Sequence, residues 1–208
     1  DDDDSPYLSR TPSSSGNRKT FTFSAWVKRN SFARGVLFSC GTSLGSQENG
    51  IEFDSTVIRC YSYTGSFGYN ITTNAKYRDS AAWMHVVFAL DTTQASSGNR
   101  AKLYVNGVQQ TSFVSGEDTY PSQNTDMYVN STSGTFRIGY YTSGGSYFNG
   151  VMSHVHFCDG TALAPTVFGS TDSTTGEWKI NTSPSFTLGT NGFTILKDGN
   201  TITDQSSN

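Results

Sequence analysis

Glu52 and Asp54 stand at i and i+2 in the run IEFD, so on an extended strand they project from one face. Two carboxylates placed this way are the equipment for cutting a glycosidic bond on a β-sandwich. Such a centre carries a third carboxylate three residues after the second, and here that position is Val57. No other carboxylate pair lies nearby, so the chain is expected not to be an enzyme. His154 and His156 form a His-x-His pair that on a regular strand shares one face and could take zinc, but His85 is the only other histidine. Two outward imidazoles on a half-exposed sheet are the plainer reading. Glu117, Asp118, Asn124 and Asp126 are the densest set of oxygen ligands and would suit calcium. The run Asp1–Asp4 reads as a solvated end, because adjacent carboxylates on an extended chain point to opposite sides. No cofactor is assigned; calcium stays open.

The aromatic residues carry the second kind of chemistry. Tyr61, Tyr63, Phe67 and Tyr69 are spaced by glycine and polar residues around TGSFGYN. Such a stretch is either satellite packing or a binding surface. Trp26 lies on the polar side of FTFSAWVKR. It is either covered by a loop with its N–H satisfied locally, or a platform for a sugar ring.

The elements that must position these residues are strands. Residues 83–110 read as three antiparallel strands against which the rest of the chain should lie. Met84, Val86, Phe88 and Leu90 alternate with Trp83, His85, Val87 and Ala89, a period of two with both faces largely apolar. Leu103–Val105 follows a polar loop, and Asn106-Gly107 is a hairpin signal because both central residues of a type I′ turn need positive φ. Phe21, Phe23, Ala25 and Val27 form a core face. On the strand from Val151 to Cys158, Val151, Ser153, Val155 and Phe157 should share one face and Met152, His154 and His156 the other. Further strands are expected at 7–10, 35–40, 51–54, 56–63, 71–73, 136–140 and 193–197. Residues 115–133 read as a long polar segment, and Pro165 opens at most one helical turn.

Composition narrows the class. The 208 residues suffice for one sizeable β domain, and no window shows a helical period. The fold class is therefore all-β, a two-sheet antiparallel β-sandwich. Net charge is −3 with no Lys/Arg cluster, which gives no nucleic-acid footprint. No apolar run approaches the roughly 20 residues that a spanning helix needs, so no membrane insertion is expected. Cys40, Cys60 and Cys158 lack metal spacing; Cys40 and Cys60 could bridge if their strands were neighbours, and three buried thiols are the plainer reading. The sequons at Asn70, Asn130 and Asn181 are expected by chance in so Ser/Thr-rich a chain. The chain begins with Asp rather than Met and reads as a segment of a longer protein.

FTFSAWVKR, WMHVVFALDTT, KLYVNGV, FRIG and FNGVMSHVHF, in that order, resemble the laminin-G-like and pentraxin-like branch of the concanavalin A-like jelly rolls over roughly Tyr7–Phe168. YLSRTPSSSGNRKTFTFSAWVKR, DGTALAPTVFGSTDSTTGEW and GTNGF are similar to modules of tailed, especially marine, bacteriophage structural proteins, which sit in tail-fibre-like chains. The resemblance implies one laminin-G-like jelly-roll domain over residues 1–208, located in a virion or outside the cell. It implies a non-catalytic carbohydrate-recognition module that binds bacterial surface polysaccharide, with other virion subunits as partners in a homo-oligomeric assembly. The alternative is a structural decoration or spacer domain with protein partners. Many relatives carry an acidic pair where Ser153 and His154 stand, so no metal ligand is transferred. In the recognition reading the sugar-stacking residues are Tyr140, Tyr141, Tyr147 and Phe148 in one loop, with Tyr61, Tyr63 and Tyr69 in another.

Overall fold

In a computed structural model the described residues are 6–42, 47–141, 146–199 and 202–206. The run Asp1–Asp4 and residues 142–145 of the aromatic loop lie outside them. Among the described residues the strands are β1 (Leu8–Arg10), β2 (Thr20–Arg29), β3 (Gly35–Gly41), β4 (Glu48–Asp54), β5 (Val57–Tyr63), β6 (Phe67–Thr73), β7 (Met84–Asp91), β8 (Ala101–Val105), β9 (Val108–Gln109), β10 (Phe113–Thr119), β11 (Thr135–Ile138), β12 (Gly150–Asp159), β13 (Gly169–Thr171), β14 (Trp178–Ile180) and β15 (Phe193–Ile195). A seven-stranded sheet runs β1-β11-β3-β4-β5-β6-β10 and a six-stranded sheet runs β15-β12-β2-β7-β8-β9. Every strand pair is antiparallel, so the expected two-sheet sandwich is present.

The inner faces close on one core. Phe21, Phe23, Ala25 and Val27 of β2 and Met84, Val86, Phe88 and Leu90 of β7 meet Phe38 and Cys40 of β3, Ile51 and Phe53 of β4, and Ile58 and Cys60 of β5. Phe157 of β12 stacks between the sheets on Phe21, Phe38 and Phe193, with ring centroids 5.5 to 5.7 Å apart. Each such buried ring contributes about 1.5–3 kcal/mol from area alone.

The pairing corrects some expectations and keeps others. The 83–110 meander forms one end of its sheet, with β2 and β12 beyond it. The hairpin itself is as expected: Asn106 (φ +47) and Gly107 (φ +79) both have the positive φ that a type I′ turn needs, but the return strand β9 has two residues only. The polar stretch from Ser115 is partly strand, since β10 pairs with β6 through Thr119 across an irregularity. On β12, Ser153 faces Trp26 and His156 faces Ser24, so two residues, His154 and Val155, stand opposite Ala25 alone. This bulge, with His154 at φ +49, shifts the alternation by one. Val151 is therefore 50% exposed while Met152 packs on the core, the reverse of the regular pattern. Cys40 and Cys60 sit on β3 and β5 with β4 between them, and all three cysteines are free and buried.

After Asp159 the chain turns back over the outer face of the six-stranded sheet. A 3₁₀ turn (Pro165–Val167) leads into the β13–β14 hairpin, and β15 then joins the sheet edge beside β12. Asp159 fixes this return. Its carboxylate accepts the backbone N–H groups of Asn17 (2.8 Å) and Asn191 (3.0 Å) and the Asn130 side-chain amide (2.8 Å).

Candidate functional site

The outer face of the seven-stranded sheet is built by alternation. Because Ile51, Phe53, Ile58 and Cys60 point inward, Glu48, Gly50 and Glu52 of β4 and Arg59, Tyr61 and Tyr63 of β5 point outward. The register sets Glu52 opposite Arg59, Gly50 opposite Tyr61 and Glu48 opposite Tyr63. The Tyr61 ring lies across Gly50, where a Cβ would fall less than 3.0 Å from two ring carbons and the hydroxyl oxygen. Only glycine lets this ring lie flat on the neighbouring strand.

Tyr141, just past β11, comes down on the same face. Its hydroxyl donates to Glu48 Oε2, and the Arg34 guanidinium lies 4.6 Å over its ring. Arg59 lies 4.9 Å from the Tyr61 ring and 5.0 Å from Phe67. Together Arg34, Glu48, Arg59, Tyr61, Tyr63, Phe67 and Tyr141 line a cavity of about 310 Å³. Phe67 is 47% exposed at its mouth and Tyr61 is buried. The Tyr61 hydroxyl is shut off from solvent and lies beside the Tyr141 side chain. Burial, with Glu52 nearby, raises that phenol far above its ordinary value, so it remains a neutral donor.

Glu52 underlies the cavity, fully buried. Arg34 grips it in a fork, Nη2 to Oε2 at 2.8 Å and Nε to Oε2 at 3.1 Å, and Arg59 stands 3.9 Å away. Burial raises its carboxyl above the usual range, against the pull of the two guanidiniums. A carboxylate held this way positions the arginines and has no free lone pair aimed at solvent. Asp54, its proposed partner, is exposed at the end of β4. Two guanidiniums and two carboxylates leave the cavity formally neutral.

The two aromatic loops of the sequence reading thus converge only in part. Tyr61, Tyr63 and Tyr141 share the cavity. Tyr140 and Tyr147 stack on each other at 4.6 Å, and Tyr7 packs on Tyr140 at 4.8 Å, as a separate cluster. Tyr69 and Phe148 are core residues, 1% and 6% exposed, and neither can present a ring face to a ligand. Tyr69 points inward because it alternates with Asn70 on β6, and Phe148 because it stacks on Phe53. Arg34, Glu48 and Arg59 were not singled out from the sequence. Arg59 carried a signal, being two residues from Tyr61 on the same face; Arg34 and Glu48 depend on a cross-strand register that no local pattern fixes.

The remaining candidates disperse. His156 is buried against Phe168 (5.4 Å) and its Nδ1 meets Thr194 Oγ1, whereas His154 sits on the bulge, so the pair does not form a chelating face. Glu117 and Asp118 lie on β10, Asp126 is 4.0 Å from Arg18, and Asn124 is in a turn beside Thr92. No group of three His, Cys, Asp or Glu side chains suited to a metal occurs among the described residues. Trp26 is covered, as the simpler reading expected, but its N–H is not satisfied locally. No helix among the described residues is long and apolar enough to cross a membrane.

The fold is shared widely. It superposes on domain 4 of an extracellular GH43 arabinanase from Geobacillus stearothermophilus, in complex with arabinotriose, with TM-score 0.53 and 17% identity, covering 72% of this chain and 65% of that one. It also matches the LG4-5 domains of the mouse laminin alpha1 chain (TM-score 0.50, 10% identity, 91% of this chain and 44% of that). A third match is tailspike protein 2 of an Escherichia coli bacteriophage, CAB120 (TM-score 0.50, 9% identity, 78% and 22%). The chain thus spans 65% of the first of these proteins and less than half of the other two. The family model of laminin-G type, described as the concanavalin A-like lectin/glucanases superfamily, matches residues 2–168. With most of its length accounted for by that model, and with the two antiparallel sheets to match, the chain belongs to the concanavalin A-like lectin/glucanases superfamily.

Proposed function

We propose that this domain is a non-catalytic glycan-recognition module whose site is the tyrosine cavity on the seven-stranded sheet. The observation that carries the reading is the open, formally neutral cavity itself, walled by the rings of Tyr63, Phe67 and Tyr141 with Glu48, Arg34 and Arg59 among them. A sugar suits it: a ring CH face stacks on Tyr63 and Phe67, and hydroxyls exchange hydrogen bonds with Glu48 and the arginines. Glu52, locked by Arg34, has no role in bond cleavage. Domain 4 of the arabinanase holds arabinotriose on the same fold, which supports the reading by fold alone. The bacterial surface polysaccharide of a phage host is the proposed ligand, and an extracellular or virion setting with repeated copies around a fibre would raise avidity above the weak affinity of one shallow site.

Immobilise the domain at high density on beads and measure its binding to bacterial envelope polysaccharides. Saturable binding that falls about tenfold in Tyr141→Ala and in Tyr63→Ala, with unchanged circular dichroism, is expected. Tyr140→Ala and Tyr147→Ala should change it little, since those rings stack on each other away from the cavity. Binding insensitive to both cavity variants would remove the site. No binding across a broad panel would favour the structural alternative, a decoration or spacer domain.

A further inference from the structure

We propose a second saccharide site on the opposite outer face, in the cleft where all three tryptophans of the chain meet. Trp26, Trp83 and Trp178 line one cleft of about 500 Å³ beside the β12 bulge. They reach it from three separate elements: Trp26 from β2, Trp83 from the turn before β7, and Trp178 from β14. Trp83 is 42% exposed, unusual for so large an apolar ring, whereas Trp26 is 9% exposed. Trp26 and Trp178 are held from behind by His85. Trp26 stacks on it at 5.0 Å and 13°, and Trp178 donates its N–H to His85 Nδ1 at 3.0 Å. Two indoles are thereby fixed before any ligand arrives, and the third is open to it.

The wall chemistry selects the ligand class. Indole faces match the CH face of a pyranose, and Ser153 and Glu177 in the same wall offer hydroxyl partners. Lys179 is neutralised by Asp172 at 2.7 Å, so no cation in the wall calls for an anionic ligand, and the Glu177 carboxylate disfavours one. The Trp26 N–H is buried and unpaired among the described residues, an unmet donor next to the cleft. The occupant is therefore a neutral oligosaccharide. With the tyrosine cavity on the other sheet, one domain would carry two sites facing apart and could bridge two glycan strands. The proposal does not require the tyrosine cavity to bind.

The tryptophans supply the readout, because none of them lines the tyrosine cavity. Titrate the domain with neutral hexasaccharides of glucose, mannose, xylose and arabinose and follow tryptophan emission. The expected result is a saturable shift with at least one sugar, weakened about tenfold or more in Trp83→Ala, about fivefold in Trp26→Phe, and unchanged in Tyr63→Ala and Tyr141→Ala. Trp83 is 42% exposed, and an unchanged circular dichroism spectrum of Trp83→Ala checks that its removal leaves the fold intact. No saturable shift with any sugar, or a shift that survives Trp83→Ala, would overturn the proposal. Emission that varies with protein concentration alone would replace it with self-association. If the tyrosine variants are silent in the bead assay while Trp83→Ala is not, the first site fails and this one stands.

Discussion

The two outer faces of the sandwich begin from similar strands and end in opposite states. On the six-stranded sheet, Ser24, Trp26, His85 and His156 project away from the core and are then covered by the segment that follows Asp159. Phe168, Trp178 and Phe186 come down on them as a second, smaller aromatic layer. On the seven-stranded sheet, Glu52, Arg59 and Tyr61 project in the same way, but the cavity above them stays open and they bury one another. The covered face keeps its titratable groups neutral. The open face keeps them charged and paired. Each solves the cost of burying polar groups, one by removing charge and the other by forking an arginine onto a carboxylate.

The covered face should therefore be the acid-sensitive one, and this is the largest effect expected. Burial lowers the pKa of His85 to about 3; the same cause, helped by the neighbouring His154, lowers His156 to about 3, both from 6.5. Trp178 donates to His85 Nδ1, so the ring proton is on Nε2 and is donated to Ser24 Oγ at 2.8 Å. A second proton has no place. Between pH 6.5 and 3 the unfolded chain binds protons that the native chain does not. Stability is complete above about pH 6.5 and is lost as the pH falls through that window. Once the pH is well below 6.5 each histidine costs on the order of 1 kcal/mol per pH unit, so the pair gives a limiting slope of roughly 3 kcal/mol per unit. Urea unfolding at pH 7, 6 and 5 measures it, and His156→Gln should halve the slope. A flat profile from pH 7 to 5 would show that the covering segment leaves the histidines wet.

Next in size is the covering segment itself. Trp178 fits between Gly107 and Gly169, where a Cβ at either position would fall less than 3.0 Å from the indole. Trp178→Ala should cost about 3 kcal/mol, at the lower end for a large ring because the side chain is only half-buried. The readout is the shift in urea midpoint at pH 7. Glycan binding at the tyrosine cavity should survive, because that site shares no strand with β14. Loss of both would mean that the two faces are not independent.

The contrast between the faces was only half legible in the sequence. Alternation assigned β2 and β7 correctly and told which residues share a face. It could not say which outer face would be covered, because the cover comes from residues 168–188, far along the chain and without strong periodicity. The β12 faces were inverted over Val151–Ser153 because a bulge inserts one residue, and nothing in VMSHVHF announces it. For the cavity, the aromatic spacing on β5 pointed to Tyr61 and Tyr63. Tyr69 was misplaced because it too lies in an aromatic run, although two residues along a turn and a strand reverse its side. Arg34 and Glu48 required the β3–β4–β5 register, which is set by pairing and not by composition.

The smallest effect tests the open face from within. Gly50 has an ordinary backbone conformation, so Gly50→Ala should be penalised only through the Tyr61 ring that it would strike. The expected cost is about 1 kcal/mol at neutral pH, the range for a modest overpacking strain. Glycan binding should fall about tenfold, because Tyr61 must lift off β4 into the cavity. Gly98→Ala is the control, since a Cβ there meets nothing within 4 Å. In a Tyr61→Ala background the ring is gone, and Gly50→Ala should then be neutral in stability. That non-additivity distinguishes a ring resting on glycine from a strand that simply prefers glycine. Additive costs would mean that Tyr61 does not depend on the gap at Gly50, and the floor of the proposed cavity would have to be built some other way.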